Sequence, residues 1–293
     1  MKTLVNILGT GRCGSTMLDA MLGNGTQCHS CGEVHAWFRP WRRHHFTLAC
    51  SCGSASCPVW APLRKLKTSD FHRKAFEILD IDFLIDSSKA LTWLIDQQKW
   101  LTDNIRIVNI AIYKDPTDLA YSHWKRNLPV EQTWLHYKKY YSRLLALRYP
   151  FVTINHRELV ENPKIKLLKL CHLINMKYFE GKERFWEGDL HFLFGSMGVR
   201  EQLREGSSSF RISKSYPEAF IAKQKDVNKH FLNDADLGHI LEEINRREID
   251  KIKELPIVSG LLKRKQGLLP PWYYFKRIRE FLGRYFPRKY SAV

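Results

Sequence analysis

The feature that most constrains this chain is its amino-terminal stretch, residues 4–18, where a short apolar run leads into a cluster of glycines. The pattern predicts a buried strand, a glycine-rich turn and the start of a helix, which together present backbone N–H groups to an anion. The spacing from Gly9 to Gly14 is that of a phosphate-binding P-loop, but Ser15 stands where that motif has its lysine. Arg12, inside the turn, supplies a cation instead. The sequence therefore predicts a phosphate-binding turn that is not built for a nucleoside triphosphate.

Two other interpretations of this turn stay open. The glycines also satisfy the dinucleotide-binding fingerprint, with Gly11 as its middle glycine, and Glu33 lies near the distance of a ribose-binding acid. That acid should end a second apolar strand, but residues 25–32 do not have the pattern of one. The other interpretation is a glycine-rich turn without a ligand, which the strand before it and the helix after it disfavour.

Segments that predict strands alternate with segments that predict helices along the chain. The predicted strands are residues 4–8, 81–86, 105–113 and 151–155. The predicted helices are residues 15–22, a segment that begins near Ala90, and residues 116–126, 132–147, 163–175 and 235–253. The alternation predicts an α/β fold: a three-layer, P-loop-like, mostly parallel sheet with helices on both faces. Ligands of such sheets bind beyond the carboxyl ends of the strands.

With 293 residues the chain can form one large α/β domain, or one domain with an appendage, and an apolar content of 44% supports an ordinary packed core. We predict a domain over residues 1–255, with an irregular insertion rich in cysteine and histidine over about residues 25–65. Residues 256–293 change to a basic and aromatic composition and are predicted to form a tail.

The net charge of +17 indicates anionic partners, without choosing between a phosphorylated cofactor, an anionic substrate, nucleic acid or an acidic membrane surface. No secretory signal is visible before the first strand, and no apolar run approaches the roughly 18 to 20 residues of a membrane-spanning helix. The seven cysteines, an odd number, fit reduced thiols or metal ligands better than disulfides. These features predict a soluble, cytoplasmic protein.

A second anion site is predicted where the most apolar strand ends. Lys114 follows that strand directly, and Ser122 lies eight positions later, two turns into the next helix. A cation and a hydroxyl so placed reach one phosphate if the strand end and the helix face the same pocket. Arg126 lies one turn beyond Ser122, and Lys89 follows the strand of residues 81–86 in a comparable way.

These motifs together resemble the sulfotransferases that use 3′-phosphoadenosine 5′-phosphosulfate (PAPS), in particular a bacterial, carbohydrate-sulfotransferase-like branch. The turn of residues 9–16 is similar to the family's 5′-phosphosulfate loop, and Lys114 with Ser122 is similar to its 3′-phosphate site. Further similar segments are Asp86–Lys89, Glu161–Pro163, His191–Ser196 with Arg200, and the cysteine segment Cys50–Trp60. The resemblance extends, in order, over about residues 3 to 200 and implies PAPS as sulfonate donor.

The resemblance also implies a role for individual residues. The implied donor-binding residues are Gly11, Arg12, Cys13, Gly14, Ser15, Thr16, Lys114, Ser122 and Arg200. Arg12 or Lys89 would stabilise charge on the oxygen that leaves with the nucleotide. Many carbohydrate-type members have a Gly-Glu pair shortly after the first helix, and Gly32-Glu33 matches it. Glu33 would therefore accept the proton of the acceptor hydroxyl, and His35 is the alternative candidate for this base. The implied acceptor is a hydroxyl of a carbohydrate or glycolipid.

The chain departs from the family pattern at a few positions. Lys114 stands where the family usually has an arginine, which keeps the charge but loses the bidentate guanidinium contact. His156 and Arg157 replace a common Tyr-Glu pair on the adenine side, and Ser196 replaces a frequent asparagine. The loop and the pair of a cation and a hydroxyl remain, so the PAPS assignment is kept.

Two other classes of function stay open. A P-loop kinase or NTPase would use the same turn, but Ser15 replaces the lysine that it needs. A basic nucleic-acid-binding protein would account for the charge and the nine tryptophans, and would bind with strong salt dependence. We expect no nucleic acid partner, and instead tight binding of adenosine 3′,5′-bisphosphate, the product of sulfonate transfer from PAPS.

The cysteines allow a zinc site as an alternative. Cys28 and Cys31 have the spacing of a zinc-binding pair. The residues that can complete the site are Cys50, Cys52, Cys57, His29, His44 and His45. Because the second group lacks standard zinc spacing, we predict reduced thiols that pack within the loop, and assign no residue to a metal.

Residues 270–290 interleave aromatic and aliphatic side chains with basic ones. This pattern is typical of a helix that lies in a membrane interface. A terminal helix that docks on the domain has the same pattern. The tail therefore predicts either a docked helix or peripheral membrane contact, and the second would favour a lipid-linked acceptor.

Overall fold

The computed structural model describes residues 1–101, 104–129, 132–207, 210, 215–255 and 269–287. Its centre is a five-stranded sheet in which each neighbouring pair of strands is parallel. The strands are β1 (Lys2–Leu8), β2 (Cys28–Ser30), β3 (Phe83–Asp86), β4 (Ile105–Tyr113) and β5 (Val152–Asn155), in the order β2-β3-β1-β4-β5. The predicted α/β fold with a parallel sheet is confirmed.

Helices connect the strands and cover the sheet. In the first half of the chain they are α1 (Ser15–Gly23), α2 (Val34–Phe38), α3 (Trp60–Leu63), α4 (Phe71–Leu79), α5 (Leu91–Trp100) and α6 (Pro116–Trp124). In the second half they are α7 (Thr133–Ala146), α8 (His156–Glu161), α9 (Pro163–Ile174), α10 (Met197–Glu205), α11 (Glu218–Asn233), α12 (Ala235–Arg246) and α13 (Pro271–Tyr285). Short 3₁₀ helices span Arg43–Phe46, Phe185–Glu187 and Ile249–Lys251.

Both faces of the sheet are buried, because successive side chains of a strand point to opposite faces. Val5 and Ile7 of β1 pack into a core shared with α1 and α9. On the opposite face Leu8 packs with α6 and α7, and Leu4 packs with α4. The prediction of helices on both faces is therefore confirmed.

The register of the strands brings their carboxyl ends together. Leu8 of β1 lies opposite Ala111 of β4, and Asn6 of β1 lies opposite Asp86 at the end of β3. The segments that follow β1, β3 and β4 therefore leave the sheet side by side at one edge. These segments are the predicted phosphate turn and the two predicted cation sites beside it.

The prediction of an irregular insertion over residues 25–65 is wrong at its start. Cys28–Ser30 forms the edge strand β2, which pairs in parallel with β3, and α2 follows it closely. Three residues that include a histidine and a serine are too few and too polar to show an apolar pattern in the sequence. Glu33 therefore does follow a strand, and it lies at the same edge of the sheet as the phosphate turn.

The helix predicted over residues 235–253 is shorter in the structure. It ends at Arg246, and the chain then turns so that the side chain of Glu248 is buried beside β4 and β5. The Glu248 carboxylate accepts hydrogen bonds from the Tyr113 hydroxyl at 3.0 Å and from the Asn155 backbone N–H at 3.2 Å. These contacts with the ends of two strands stop the helix, and no local pattern reveals them.

One face of α13 docks on the domain. The carboxylate of Glu280 is buried and accepts hydrogen bonds from the Arg39 guanidinium at 3.2 Å and the Thr92 hydroxyl at 2.6 Å. The docked alternative is therefore observed for this part of the predicted tail. The predicted tail residues 256–268 and 288–293 lie outside the described residues.

The opposite face of α13 is exposed and largely apolar. Its exposed apolar side chains, with one just beyond the helix, are Tyr274, Phe275, Ile278, Phe281, Leu282, Tyr285 and Phe286. Within the described ranges, no helix has both the length and the apolar character that crossing a bilayer requires.

Candidate active site

The turn after β1 has the backbone geometry of an anion-binding loop. Gly9 and Gly14 have φ angles of 142° and 101°, and Arg12 between them also has a positive φ. A Cβ on Gly14 would lie 2.2 Å from Cδ2 of His156, and one on Gly9 would lie 2.4 Å from the carbonyl oxygen of Ile112. Glycine is therefore required at both positions for backbone and steric reasons.

Gly11 differs from these two glycines, because a Cβ there would meet no atom of the described residues within 4 Å. The loop is consequently open at Gly11, while α1 begins directly behind it at Ser15. Cys13 is fully buried and lies beneath the loop, where its thiol lies close to Gly9. An anion that approached Gly11 would meet backbone N–H groups and the positive end of a helix dipole.

Thr16 joins the loop to a distant segment of the chain. Its hydroxyl accepts a hydrogen bond from the backbone N–H of Ser196 at 3.0 Å, and Gly195 packs against its side chain. Ser15 and Thr16 are both buried. The segment that resembles the family's motif around residue 196 therefore lies against the predicted phosphate loop.

The positive charge of the Arg12 guanidinium in this loop is only partly compensated by nearby negative charge. Burial lowers the pKa of its guanidinium, Arg126 lowers it further, and Glu33 acts in the opposite direction. Its buried Nε has no hydrogen-bond partner among the described residues. A buried, unpaired donor is costly, so a ligand that accepts a hydrogen bond from this Nε would stabilise the side chain.

Lys114 presents a second cation of the same kind. Burial lowers the pKa of its ammonium to about 8, and the nearby guanidinium of Arg12 also lowers it. Among the residues that the structure describes, no carboxylate forms an ion pair with Lys114. Ser122 is buried on α6, which begins two residues after Lys114. The two predicted phosphate sites thus lie within electrostatic reach of each other.

Lys89 and Glu33 form an ion pair beside the loop. The Lys89 Nζ lies 2.8 Å from Oε1 of Glu33 and donates another hydrogen bond to the Ser87 carbonyl at 2.9 Å. Burial alone would lower the pKa of Lys89, but the Glu33 carboxylate raises it above its ordinary value. The ammonium groups of Lys89 and Lys114 also act on the Cys13 thiol, whose pKa burial raises. Cations from two neighbouring strands therefore surround the loop that lacks the P-loop lysine.

His35, the alternative to Glu33 as the base, contacts the docked helix α13 in the structure, and its role as a base stays a prediction. Its ring is buried, and Nε2 lies 3.4 Å from the Glu280 carboxylate. Burial lowers the pKa of His35, although the nearby Glu280 carboxylate opposes that shift.

The sequence gives no indication of two further residues at this site. The Tyr140 hydroxyl on α7 accepts a hydrogen bond from the Gly9 backbone N–H at 3.0 Å and donates one to the Lys89 carbonyl at 2.9 Å. Asp19 on α1 accepts hydrogen bonds from the hydroxyls of Ser30 at 2.7 Å and Ser87 at 2.5 Å. Burial raises the pKa of Asp19 to about 7. Both residues hold the predicted site loops in place, and only their tertiary positions show it.

Arg200 lies next to the cysteine loop. Its Nη2 donates a hydrogen bond to the carbonyl of Cys50 at 2.8 Å, while its buried Nε has no partner within the described parts of the chain. Binding of the donor by Arg200 stays a prediction.

The cysteines cluster differently from the arrangement suggested above. Cys50, Cys52 and Cys57 converge on His191, which lies far away in the sequence. Cys28 and Cys31 are not in this cluster: Cys31 is buried in the hydrophobic core, and Cys28 packs at the edge of another part of it. The histidines suggested as completing ligands, His29, His44 and His45, are not in the cluster either.

A cavity of about 250 Å³ begins at Thr10 and Gly11 of the loop and extends towards α13. The other residues that line it are Leu91, Leu119, His123, His136, Lys139, Tyr140, Arg143, Trp272 and Lys276. Burial lowers the pKa of His123 to about 4, so this ring is neutral near pH 7. Lys139, Arg143 and Lys276 give the cavity a positive wall.

No protein-family model matches this sequence, and no curated protein matches it. Several solved structures are similar in fold, and two of them are sulfotransferase domains. The sulfotransferase domain from the curacin biosynthetic pathway has a TM-score of 0.54 and 17% identity, over 84% of this chain and 98% of that domain. The sulfotransferase domain from the olefin synthase of Synechococcus PCC 7002 has a TM-score of 0.53 and 17% identity, over 80% of this chain and 95% of that domain. The chain therefore has the fold of these sulfotransferase domains.

Proposed function

We propose that this protein transfers a sulfonate group from PAPS to a hydroxyl of a carbohydrate or glycolipid. The observation that carries the proposal is the pair of partly buried cations, Arg12 and Lys114, at neighbouring strand ends beside an open glycine-rich loop. A donor with phosphate groups at both the 5′ and the 3′ positions supplies an anion for each. The fold that the chain shares with sulfotransferase domains supports the same assignment.

The residues of the site fit such a donor. The open backbone at Gly11, the start of α1 and Arg12 would hold its 5′ end, and Lys114 with Ser122 would hold its 3′-phosphate. When bound, PAPS supplies an activated sulfonate whose departure leaves charge on the bridging oxygen. Lys89, whose ammonium acts on Cys13 in the loop, would stabilise that charge.

Glu33 would accept the proton of the acceptor hydroxyl as its oxygen forms a bond to sulfur. The bond between sulfur and the bridging phosphate oxygen breaks in the same transfer, so adenosine 3′,5′-bisphosphate is released. Such transfers depend mainly on positioning and charge stabilisation rather than on covalent catalysis by the protein. The ion pair of Glu33 with Lys89 supports a shared role for the two side chains, because the Lys89 Nζ lies 2.8 Å from Oε1 of Glu33 beside the loop.

The cavity next to the loop favours an acceptor that carries negative charge. Lys139, Arg143 and Lys276 line it, and the Arg143 guanidinium lies 5.0 Å from the centre of the Trp272 ring. A sugar face packs well on an aromatic ring, and a phosphate or carboxylate is attracted by the cationic wall. We therefore propose that acidic saccharides and acidic glycolipids are the preferred acceptors.

The exposed face of α13 supports a lipid-linked acceptor and peripheral contact of a cytoplasmic protein with the membrane. Trp272 and Lys276 of this helix line the cavity, while Phe275 and Phe281 point outwards with exposures of 73% and 57%. Apolar side chains on a basic helix bind anionic lipid surfaces through burial of apolar area and through charge. The net charge of +17 is complementary to such a surface.

Vesicle flotation tests this contact. We expect the protein to float with phosphatidylcholine vesicles that contain phosphatidylglycerol, and to float much less with phosphatidylcholine alone. Phe275→Ser with Phe281→Ser should abolish flotation. Ile165→Ser with Leu168→Ser, which removes exposed apolar side chains from α9, is the matched control and should not. Equal flotation of the two double variants would contradict the assignment to α13.

Calorimetric titration with adenosine 3′,5′-bisphosphate tests the donor assignment. We expect saturable binding at one site, and at least about tenfold weaker binding of adenosine 5′-monophosphate, which lacks the 3′-phosphate contacts. A preference for ATP with Mg²⁺ would favour the kinase alternative. Salt-sensitive binding of DNA or RNA, with no effect of the bisphosphate, would favour the nucleic-acid alternative. Either result would overturn the proposal.

A further inference from the structure

We propose that Cys50, Cys52, Cys57 and His191 bind one Zn²⁺ ion in a structural site. Their ligand atoms, three Sγ atoms and a ring nitrogen, all lie within 4.8 Å of one another. The Nδ1 atom of His191 lies 3.3 Å from Sγ of Cys57 and 3.8 Å from Sγ of Cys50. Around tetrahedral zinc, with Zn–S of about 2.3 Å and Zn–N of about 2.0 Å, sulfur and nitrogen ligands lie roughly 3.5 Å apart. The cluster therefore has nearly the dimensions of a zinc site.

The second nitrogen of His191 has the partner that metal-bound histidines usually have. Nε2 lies 3.1 Å from a carboxylate oxygen of Asp189. A hydrogen bond to this carboxylate would keep the proton on Nε2 and leave Nδ1 free to bind a metal. His191 is also fixed through its backbone, because the Trp60 indole N–H donates to its carbonyl at 2.5 Å.

The two segments that carry the ligands are joined between the ligand positions. The Ser51 backbone N–H donates to the Phe192 carbonyl at 2.8 Å, and the Phe192 N–H donates to the Ser51 hydroxyl at 3.0 Å. The same hydroxyl donates to the Leu190 carbonyl at 2.5 Å. Residues on either side of His191 are thus held against the residue between Cys50 and Cys52, which positions the ligands in advance.

The chemistry of the ligands favours zinc in a closed site. Thiolate and imidazole ligands select zinc over magnesium or calcium, and four protein ligands leave no open position for catalysis. Three thiolates and Zn²⁺ give a net charge of −1, and the guanidinium of Arg200 contacts the Cys50 carbonyl beside them. Cys50 and Cys57 are buried, whereas Cys52 is exposed and gives the ion a way in.

The zinc site would also support the active site, a consequence that rests on the proposed function. Leu193, two residues after His191, accepts a hydrogen bond from the Glu33 backbone N–H at 2.9 Å and donates one to the Cys31 carbonyl at 3.0 Å. Further along, the Ser196 backbone N–H donates to the hydroxyl of Thr16. A metal that fixed His191 would therefore fix the segment that positions both the base and the phosphate loop.

Metal analysis of the protein, purified under reducing conditions, tests the site without any assay of activity. We expect about one zinc per chain, and visible absorption of tetrahedral cobalt–thiolate type when Co²⁺ replaces it. Cys52→Ser changes an exposed ligand and should lose most of the zinc. Cys28→Ser changes a cysteine outside the cluster and should keep it.

A variant in which one zinc ligand is replaced by a different type of zinc ligand distinguishes an effect on zinc binding from an effect on folding. His191→Cys keeps four ligands, so it should retain zinc and shift the Co²⁺ spectrum to that of four sulfur ligands. Protein that stays free of metal after incubation with Zn²⁺, or zinc retained at wild-type level in Cys52→Ser, would overturn the proposal. Binding of adenosine 3′,5′-bisphosphate does not enter this experiment, so either proposal can fail alone.

Discussion

Replacing Glu33 by glutamine is expected to lower kcat by about 10²- to 10⁴-fold while the affinity for adenosine 3′,5′-bisphosphate stays within about twofold. Glutamine has nearly the shape of glutamate but cannot accept the proton of the acceptor hydroxyl. Glu33 acts on Arg12 only through its charge and is itself paired with Lys89, so the donor contacts proposed for Arg12, Lys114 and Ser122 should remain when its side chain becomes an amide. Turnover can be measured as transfer of radiolabelled sulfonate from PAPS into the lipid and glycan fractions of a cell extract.

The same variant separates catalysis from a structural ion pair. If Glu33 served only to hold Lys89, its replacement would weaken nucleotide binding and lower the melting temperature along with turnover. Glu77→Gln is a suitable control, because it removes an exposed carboxylate paired with Arg73 on α4. Turnover of Glu33→Gln equal to that of this control would reject Glu33 as the base.

Local sequence was sufficient to predict the strand, turn and helix around Gly14 and the cation at the end of β4. Each of these features is set by short-range constraints: apolar runs, required glycines and a proline at a helix start. Parallel strands present their carboxyl ends at one edge of the sheet, so the sequence also predicts that the glycine-rich loop and Lys114 lie close together.

Tertiary contacts determine what the sequence did not predict. Gly9 and Tyr140 are 131 residues apart, and Cys57 and His191 are 134 residues apart, so no spacing rule connects either pair. Strand β2 forms because β3 offers it an edge to pair with, not because its three residues favour a strand. In each case the chain is organised by a partner that lies far away in the sequence.

The positive charge that the missing P-loop lysine would supply also comes from residues distant in the sequence. Ser15 occupies its position, yet Lys89 and Lys114 approach the loop from the strands on either side of β1. Cations placed on separate strand ends are spread along the edge of the sheet rather than held at one point. That distribution suits an anion with two separated charged groups better than a chain of three consecutive phosphates.

Lys114 gives the second large prediction, a loss of nucleotide affinity at alkaline pH. Burial lowers the pKa of its ammonium to about 8 in the free protein, and pairing with a 3′-phosphate would raise that pKa. Affinity for adenosine 3′,5′-bisphosphate should therefore fall by only about twofold between about pH 7 and 8, and then by up to tenfold per pH unit at higher pH. Calorimetry over this range measures it.

Two substitutions at this position test the cause of the pH dependence. Lys114→Arg keeps a positive charge at all these pH values, so its affinity should stay nearly constant where the wild type loses binding. Lys114→Met should weaken binding of the bisphosphate roughly 10- to 100-fold at about pH 7, and should change binding of adenosine 5′-monophosphate far less. If Lys114→Arg instead lost affinity along the wild-type curve, another group would be titrating and Lys114 would not be the ligand of the 3′-phosphate.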